Sequence, residues 1–473
     1  MKKKLLIILL SVFILSTLAQ SQTGNQLTNE QKIWLSKANR HEKNGWIYLH
    51  IEGTAKERGF QHGYLLAKEI KESLRVISEA WHYQTALDWQ WLVQKSGKMF
   101  TPKVDIENLE EIEGIVEGMK TAGNQTNRDE MVTYNGLMEL LWSWWPSVKD
   151  TVSPNSPDPA KQGCSSFIAT GNMTDDGGIV LGHNTHFDYF YPLCNIIIDI
   201  FPQNGHRILM QSFAGFIHSG TDFFVTDAGL IGSETTIGGF LPFDEKGVPE
   251  FSRMRHATQY ASTIDEWCEI MKIGNNGGYA NAWLIGDINT NEIARLELGL
   301  KYIGFEKKKD GYFTGSNVAE DLKILRLETK MQETNIKSSA IARRVRWKQL
   351  MKENVGKINI ERAKVFEADH LDAYLKELKP DSRTLCAHYN LDSDSQTPGW
   401  AEPYYPAGAL DGKVIDSKRA KQMSFIAKWG SSCDLPFDAI AFLKEHVQYE
   451  WMTGLLKDRP TQPWTIFKAG ETE

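Results

Sequence analysis

The sequence predicts an α+β fold built in stacked layers, and three observations lead there. Helical patterning fills the first third, strand-like segments crowd the middle, and helical patterning returns towards the end. That order lacks the regular strand–helix alternation of a parallel α/β sheet. No internal repeat interrupts it. The 473 residues, 41% hydrophobic and 24% charged, suffice for one large layered domain or for two or three smaller ones.

The elements follow in order. Met1 and three lysines precede an apolar run from Leu5 to Leu18, with the small residues Thr17 and Ala19 at its end. This is the pattern of a secretory signal over residues 1–19, and the run is too short to span a bilayer. No cysteine follows it, so the expected product is exported without a lipid anchor: secreted, periplasmic, or lysosomal in a eukaryote. Apolar residues at helical spacing predict helices over 57–74, 81–93, 106–119 and 131–145. Residues 147–163 (SVKDTVSPNSPDPAKQG) hold three prolines and no apolar period, which reads as an exposed, cuttable loop. Strands are predicted at 164–170, 179–181, 195–200, 207–213, 223–225 and 230–234, with a hairpin of 281–286 and 292–297. Helices are predicted again over 319–331, 339–352, 360–378 and 436–446. The aromatic run Leu141-Trp-Ser-Trp-Trp reads first as core, with the lining of an acyl-chain pocket as the other reading.

Composition narrows the function. A net charge of −7 with no long Lys/Arg block argues against a nucleic-acid partner. The five cysteines, 164, 194, 268, 386 and 433, include no CxxC, and their spacings do not fit a zinc framework. Being odd in number, they leave at least one thiol unpaired in an exported chain. No cofactor is called for.

One thiol has a distinctive position. Cys164 stands where the Pro-rich loop becomes a strand, after Gly163 and before two serines. A thiol attacking its own preceding carbonyl needs a tight approach, and glycine at 163 removes the side chain that would obstruct it. Completed attack would make Cys164 a new N-terminus, whose α-amine, with a pKa of roughly 7.7–8.0, can serve as general base to the thiol beside it. The ordinary alternative is a buried core cysteine.

The segment Gly163-Cys-Ser-Ser-Phe-Ile-Ala-Thr-Gly, then Gly182-His-Asn-Thr, resembles the nucleophile region of phospholipase B-like proteins and of the related autoproteolytic acyltransferases and hydrolases of peptidase family C45. Glu57-Arg-Gly-Phe-Gln-His-Gly, Gly215-Phe-Ile-His-Ser-Gly-Thr-Asp-Phe, Gly229-Leu-Ile-Gly-Ser-Glu-Thr-Thr-Ile, Tyr279-Ala-Asn-Ala-Trp-Leu-Ile-Gly-Asp and Gly408-Ala-Leu-Asp-Gly-Lys are similar to further stretches of that family, in order along most of the chain. The resemblance implies an N-terminal nucleophile αββα sandwich of two antiparallel sheets flanked by helices. It implies self-cleavage into a light chain of residues 20–163 and a heavy chain of 164–473 that stay associated as one layered domain. It also implies hydrolysis of an amide or ester bond of an acylated small molecule or lipid through an acyl-Cys164 intermediate, with transient membrane-surface contact.

The resemblance assigns His183 to polarising the thiol or assisting cleavage, and Asn281 with Thr236 or Thr235 to the oxyanion. Strand alternation lets only one of the two threonines face inward. The structural alternatives are a turn histidine, a strand-end cap and ordinary β-propensity. His183 and His186 form H-x-x-H, but on a strand residues three apart face opposite sides, which disfavours a metal. Asp222, Arg326 and His388 read as structural. The rival functions are acyl transfer or N-acyl amide hydrolysis of the penicillin-acyltransferase type, a metal-dependent hydrolase, and a non-enzymatic exported binding protein.

Overall fold

The computed structural model describes residues 26–157, 163–191, 194–220 and 222–472. The expected signal segment 1–19 and part of the Pro-rich loop lie outside the described residues. Seventeen strands are present among those described. In chain order they are β1 Asn39–Lys43, β2 Trp46–Gly53, β3 Ser165–Thr170, β4 Val180–Asp188, β5 Ile196–Pro202, β6 Ile208–Ser212, β7 Phe223–Thr226, β8 Leu230–Thr236 and β9 Asn281–Asp287. Then come β10 Glu292–Leu298, β11 Ile303–Lys308, β12 Gly311–Gly315, β13 Leu371–Asp372, β14 Glu377–Leu378, β15 Ala407–Asp416, β16 Ser424–Trp429 and β17 Thr465–Lys468.

Two large sheets result. One has nine strands in the order β1-β2-β5-β6-β7-β8-β9-β10-β11, the other six in the order β12-β3-β4-β15-β16-β17. Every pairing in them is antiparallel except β2 with β5, which run parallel from Ile47↔Ile196 to Gly53↔Pro202.

Three apolar layers hold the sheets and helices together. Ile168, Leu181, Phe223, Ile231, Leu284 and Phe425 meet between the sheets. The outer face of the nine-stranded sheet, with Ile196, Ile198 and Ile200, packs on helices from the first third and on Glu250–Tyr260 and Ile264–Lys272. The outer face of the six-stranded sheet packs Phe167 and Val414 on Trp347 and Phe366 of helices Ser339–Glu353 and Ile360–Glu367. The result is helix, sheet, sheet, helix. β5 reads IIIDIFP because its isoleucines are buried on both faces, as a strand covered on both sides requires. Burying each such side chain contributes about 1.5–3 kcal/mol.

The helices Ala55–Leu65 and Ile106–Thr121 approach closely enough to need glycine. A Cβ on Gly59 would lie 1.9 Å from the Glu111 carbonyl oxygen, and one on Gly63 2.1 Å from that of Ile115.

Several boundaries differ from expectation. The predicted helix 57–74 is two helices, Ala55–Leu65 and Ala67–Thr85, broken at Leu66. The predicted 81–93 is also split, because Ala86 takes φ +60° and ends one helix before Trp89–Met99 begins. The first third is not wholly helical, since β1 and β2 sit in it. Pro146, in the first turn of Trp145–Val152, carries helix into the predicted loop. Predicted 319–331 shortens to Leu322–Leu327, and 360–378 to Ile360–Glu367. No helix among the described residues is long and apolar enough to cross a membrane.

Candidate active site

The Gly163–Cys164 junction enters β3 at the edge of the inter-sheet space. In the β3–β4 ladder Ser166 lies opposite His183. Alternation turns Ser166, Ile168, Leu181 and His183 toward the other sheet, where the Ser166 hydroxyl meets that of Ser233 at 2.7 Å. Cys164 is 4% exposed and has φ +64°. A non-glycine residue in the left-handed region costs about 1–3 kcal/mol and persists only where its surroundings enforce it.

Here the enforcing groups are Asn317 and Arg343. Arg343 Nη1 donates to the Cys164 carbonyl at 2.6 Å, and Nη2 donates to Asn317 Oδ1 at 2.6 Å. Arginine can only donate, so this contact fixes which atom of the Asn317 amide is oxygen. Its Nδ2 therefore faces two carbonyls, that of Thr236 at 2.8 Å and that of Gly163, the residue before the thiol. Asn317 is itself at φ +69°.

Across the gap stands a carboxyl pair. Tyr279 Oη lies 2.8 Å from Asp222 Oδ2 and 2.8 Å from Glu234 Oε1. One phenol carries one proton, so one of the carboxyls must be protonated to satisfy both contacts. Burial raises both, Asp222 to about 6 and Glu234 further, the latter also because Asp222 is negative beside it. Near neutral pH the pair and the phenol thus share a proton between the two carboxyls. Both Asp222 (φ +57°) and Tyr279 (φ +47°) are left-handed too, so four strained residues ring this site. Burial, and then the charge of Asp222, push the Cys164 thiol up to about 12, against a hydrogen bond from the His186 backbone and the nearby Lys413 cation. The thiol is therefore protonated at neutral pH. Lys413 is fully buried and donates to Asp411 Oδ1 at 2.7 Å and to Thr185 Oγ1 at 2.5 Å.

The expected oxyanion residues are distinguished by the ladder. Thr236 pairs with Asn281, so the two side chains share a face, whereas Thr235 is turned against Gly315 of β12. The hydroxyls of both Thr235 and Thr236 and both ends of the Asn281 amide are buried with no partner. Each such group costs about 1–3 kcal/mol unless something fills it. His183 donates through Nε2 to the Glu234 carbonyl at 3.1 Å, leaving Nδ1 bare. Its direct contact is thus to β8, and the charged groups bearing most on the thiol are Asp222, Lys413 and Asp411. His186 points the other way, to the Leu385 carbonyl at 3.0 Å. Arg326 is on the surface with Glu333.

Sequence reasoning missed Asn317, Arg343, Glu234, Tyr279 and Lys413. Glu234, Tyr279 and Lys413 lie inside the quoted motifs, but nothing in their spacing marked them. It also missed a convergence of metal-ligating side chains away from this site, where His370, Cys386, His388 and Cys433 meet. Spacing rules look for ligands close in sequence, and these come from loops up to 63 residues apart (433 minus 370).

A cavity of about 740 Å³ is lined by Trp81, Trp142, Trp145, Phe190, Trp400 and Trp451 among others. The run expected to be core therefore also lines a cavity: Leu141, Trp142 and Trp145 all face it. Trp142 sits in a π-helical turn, Leu140–Trp144, a rare local form common at functional sites. Its ring packs on Tyr279 with centroids 5.3 Å apart, so Trp142 and Tyr279 form the wall between cavity and carboxyl pair. Asn155 and Pro157, from the loop leading to Gly163, line the same cavity.

An uncharacterized protein of Archaeoglobus fulgidus is 26% identical over 257 residues, 52% of this chain and 42% of that one. The putative phospholipase B-like 2 of Bos taurus is 36% identical over 141 residues, 26% of this chain and 24% of its own length. The matched stretches thus span less than half of these relatives. Among solved structures, a mutant of the conjugated bile acid hydrolase of Clostridium perfringens aligns with 56% of this chain and 89% of its own, at 10% identity and a TM-score of 0.34. A family model described as Phospholipase B matches residues 12–303, more than half of the chain and all of the strands from β1 to β10, and the chain belongs to that family.

Proposed function

We propose that the protein is an exported, self-cleaving hydrolase of acylated substrates, with Cys164 as nucleophile. The observation that carries this reading is the hydrogen bond from Asn317 Nδ2 to the Gly163 carbonyl, next to a thiol held in a strained conformation. That donor is where an oxyanion would form if Sγ attacked the carbonyl carbon. In that attack a C–S bond forms and the peptide C–N bond breaks. The leaving nitrogen keeps its hydrogen and takes the thiol's proton, becoming the α-amine of Cys164. Water then cleaves the thioester, which leaves a Gly163 carboxylate and restores the thiol.

Substrate turnover repeats this chemistry. The α-amine accepts the Sγ proton, the thiolate attacks an ester or amide carbonyl, and the leaving alcohol or amine takes the proton. Asn281, with Thr236 beside it in the ladder or Thr235, supplies buried and unpartnered donors for that oxyanion. The cavity supports an acyl chain as the group held, because Trp81, Trp142, Trp145, Phe190, Trp400 and Trp451 line it.

The test is intact mass with N-terminal sequencing of the secreted chain beside Cys164→Ala. Two fragments, one beginning Cys-Ser-Ser-Phe, with none from the variant, support the reading. A single uncut wild-type chain refutes it. Fatty-acid release from phospholipid, lysophospholipid and N-acyl amide then identifies the bond cleaved, and acyl transfer to added amines would reveal a transferase.

A further inference from the structure

Four side chains from three loops converge on one point beyond the outer face of β4. They are His370, ahead of β13, Cys386 and His388, after β14, and Cys433, after β16. One ligand atom from each lies within 4.8 Å of every other. His388 Nε2 is 3.6 Å from Cys386 Sγ and 3.3 Å from Cys433 Sγ. Zinc bonds of about 2.3 Å to sulfur and 2.0–2.1 Å to nitrogen put S and N of a regular tetrahedron about 3.6 Å apart. The two S–N spacings of His388 are close to that edge, and the remaining pairs all lie within 4.8 Å.

We propose that His370, Cys386, His388 and Cys433 form a structural Cys₂His₂ zinc site. Two thiols and two imidazoles in tetrahedral array favour Zn²⁺ over the oxygen-seeking Mg²⁺ and Ca²⁺. Four protein ligands leave no open position, which makes the site structural rather than catalytic. The surrounding bonds give it a task. Leu385, just before Cys386, accepts from Asn184 Nδ2 at 3.1 Å and from His186 Nε2 at 3.0 Å through its carbonyl. Ser432, just before Cys433, donates to Asn184 Oδ1 at 2.7 Å. The ion would tie both loops together where they grip β4, the strand paired with β3 behind Cys164. Backbone bonds already preset the ligands, from Cys386 to Asp369 at 3.2 Å and from His388 to Asp381 at 2.9 Å.

The experiment uses the full chain, purified without a histidine tag or chelator. Metal analysis is expected to give about one zinc per chain. Cobalt exchanged into the site is expected to show tetrahedral visible bands and a thiolate charge-transfer band. Both signals should be lost in Cys433→Ser and His388→Gln and kept in Cys268→Ser, whose thiol lies elsewhere. Absence of zinc from the wild type, with no thiolate–cobalt spectrum on reconstitution, overturns the proposal. So does zinc that persists undiminished in both ligand variants. Resistance of Cys386 and Cys433 to alkylation, relieved only by reductant, would show a disulfide there instead. None of these readouts depends on self-cleavage or activity.

Discussion

Changing Asn317 to aspartate alters one group and leaves its neighbours in place. The Oδ1 contact with Arg343 survives, now to a charged partner, so the loop keeps its main anchor. What disappears is the N–H aimed at the Gly163 and Thr236 carbonyls, replaced by an oxygen that repels both. Removing one oxyanion donor typically slows acyl chemistry about 10²–10³-fold, or about 2.7–4 kcal/mol of barrier. Self-cleavage of Asn317→Asp should slow by that order. A cell-free synthesis pulse followed by a chase, with precursor and fragments resolved on a denaturing gel, measures the ratio directly. Near-UV dichroism of the accumulated precursor checks that it has folded. A folded Asn317→Asp chain that is cut as fast as wild type would refute the role of this amide and leave the strained junction without a chemical purpose.

Three further outcomes follow from the same geometry. Asn281→Ala should lower hydrolysis about 10²–10³-fold while leaving the melting temperature unchanged or higher, because the native amide is buried without partners; kinetics and calorimetry on one sample check both. Asp222 is raised from its ordinary 3.8 to about 6, so the folded chain holds this proton more tightly than the unfolded one. Its contribution is present below about pH 4 and lost as pH rises through 6, and Asp222→Asn should remove that slope from a denaturation series across this window. Trp142→Ala takes out part of the wall between cavity and carboxyl pair and should shift preference toward longer or bulkier acyl chains, read as kcat/KM across a chain-length series.

The layered fold was legible because its strands are short, apolar and bounded by turn residues, as in the 281–297 hairpin. The flanking helices were less so. Residues 360–378 keep an apolar period past Glu367, but the chain turns away there to bring His370 toward Cys386, a tertiary demand that periodicity does not register. The junction at Gly163 could be read because loop, glycine, cysteine and strand are consecutive. Asn317 and Arg343 could not, since they reach it from 154 and 179 residues away through single hydrogen bonds. Among the threonines, alternation left a choice of two, and it took the β8–β9 register to set Thr236 beside Asn281.

The parallel seam between β2 and β5 has a consequence for the life history of the molecule. Its two strands lie on opposite sides of Gly163 in the chain, yet share a continuous ladder of seven residue pairs. While the chain is whole, its two halves find each other at the effective concentration of a tether. If the chain is cut at Gly163 as proposed, the ladder would still join the two pieces, but a molecule shaken apart would have to reassemble as two solutes. Cleavage would therefore act as a ratchet, after which persistence depends on the height of the unfolding barrier rather than on a reversible balance.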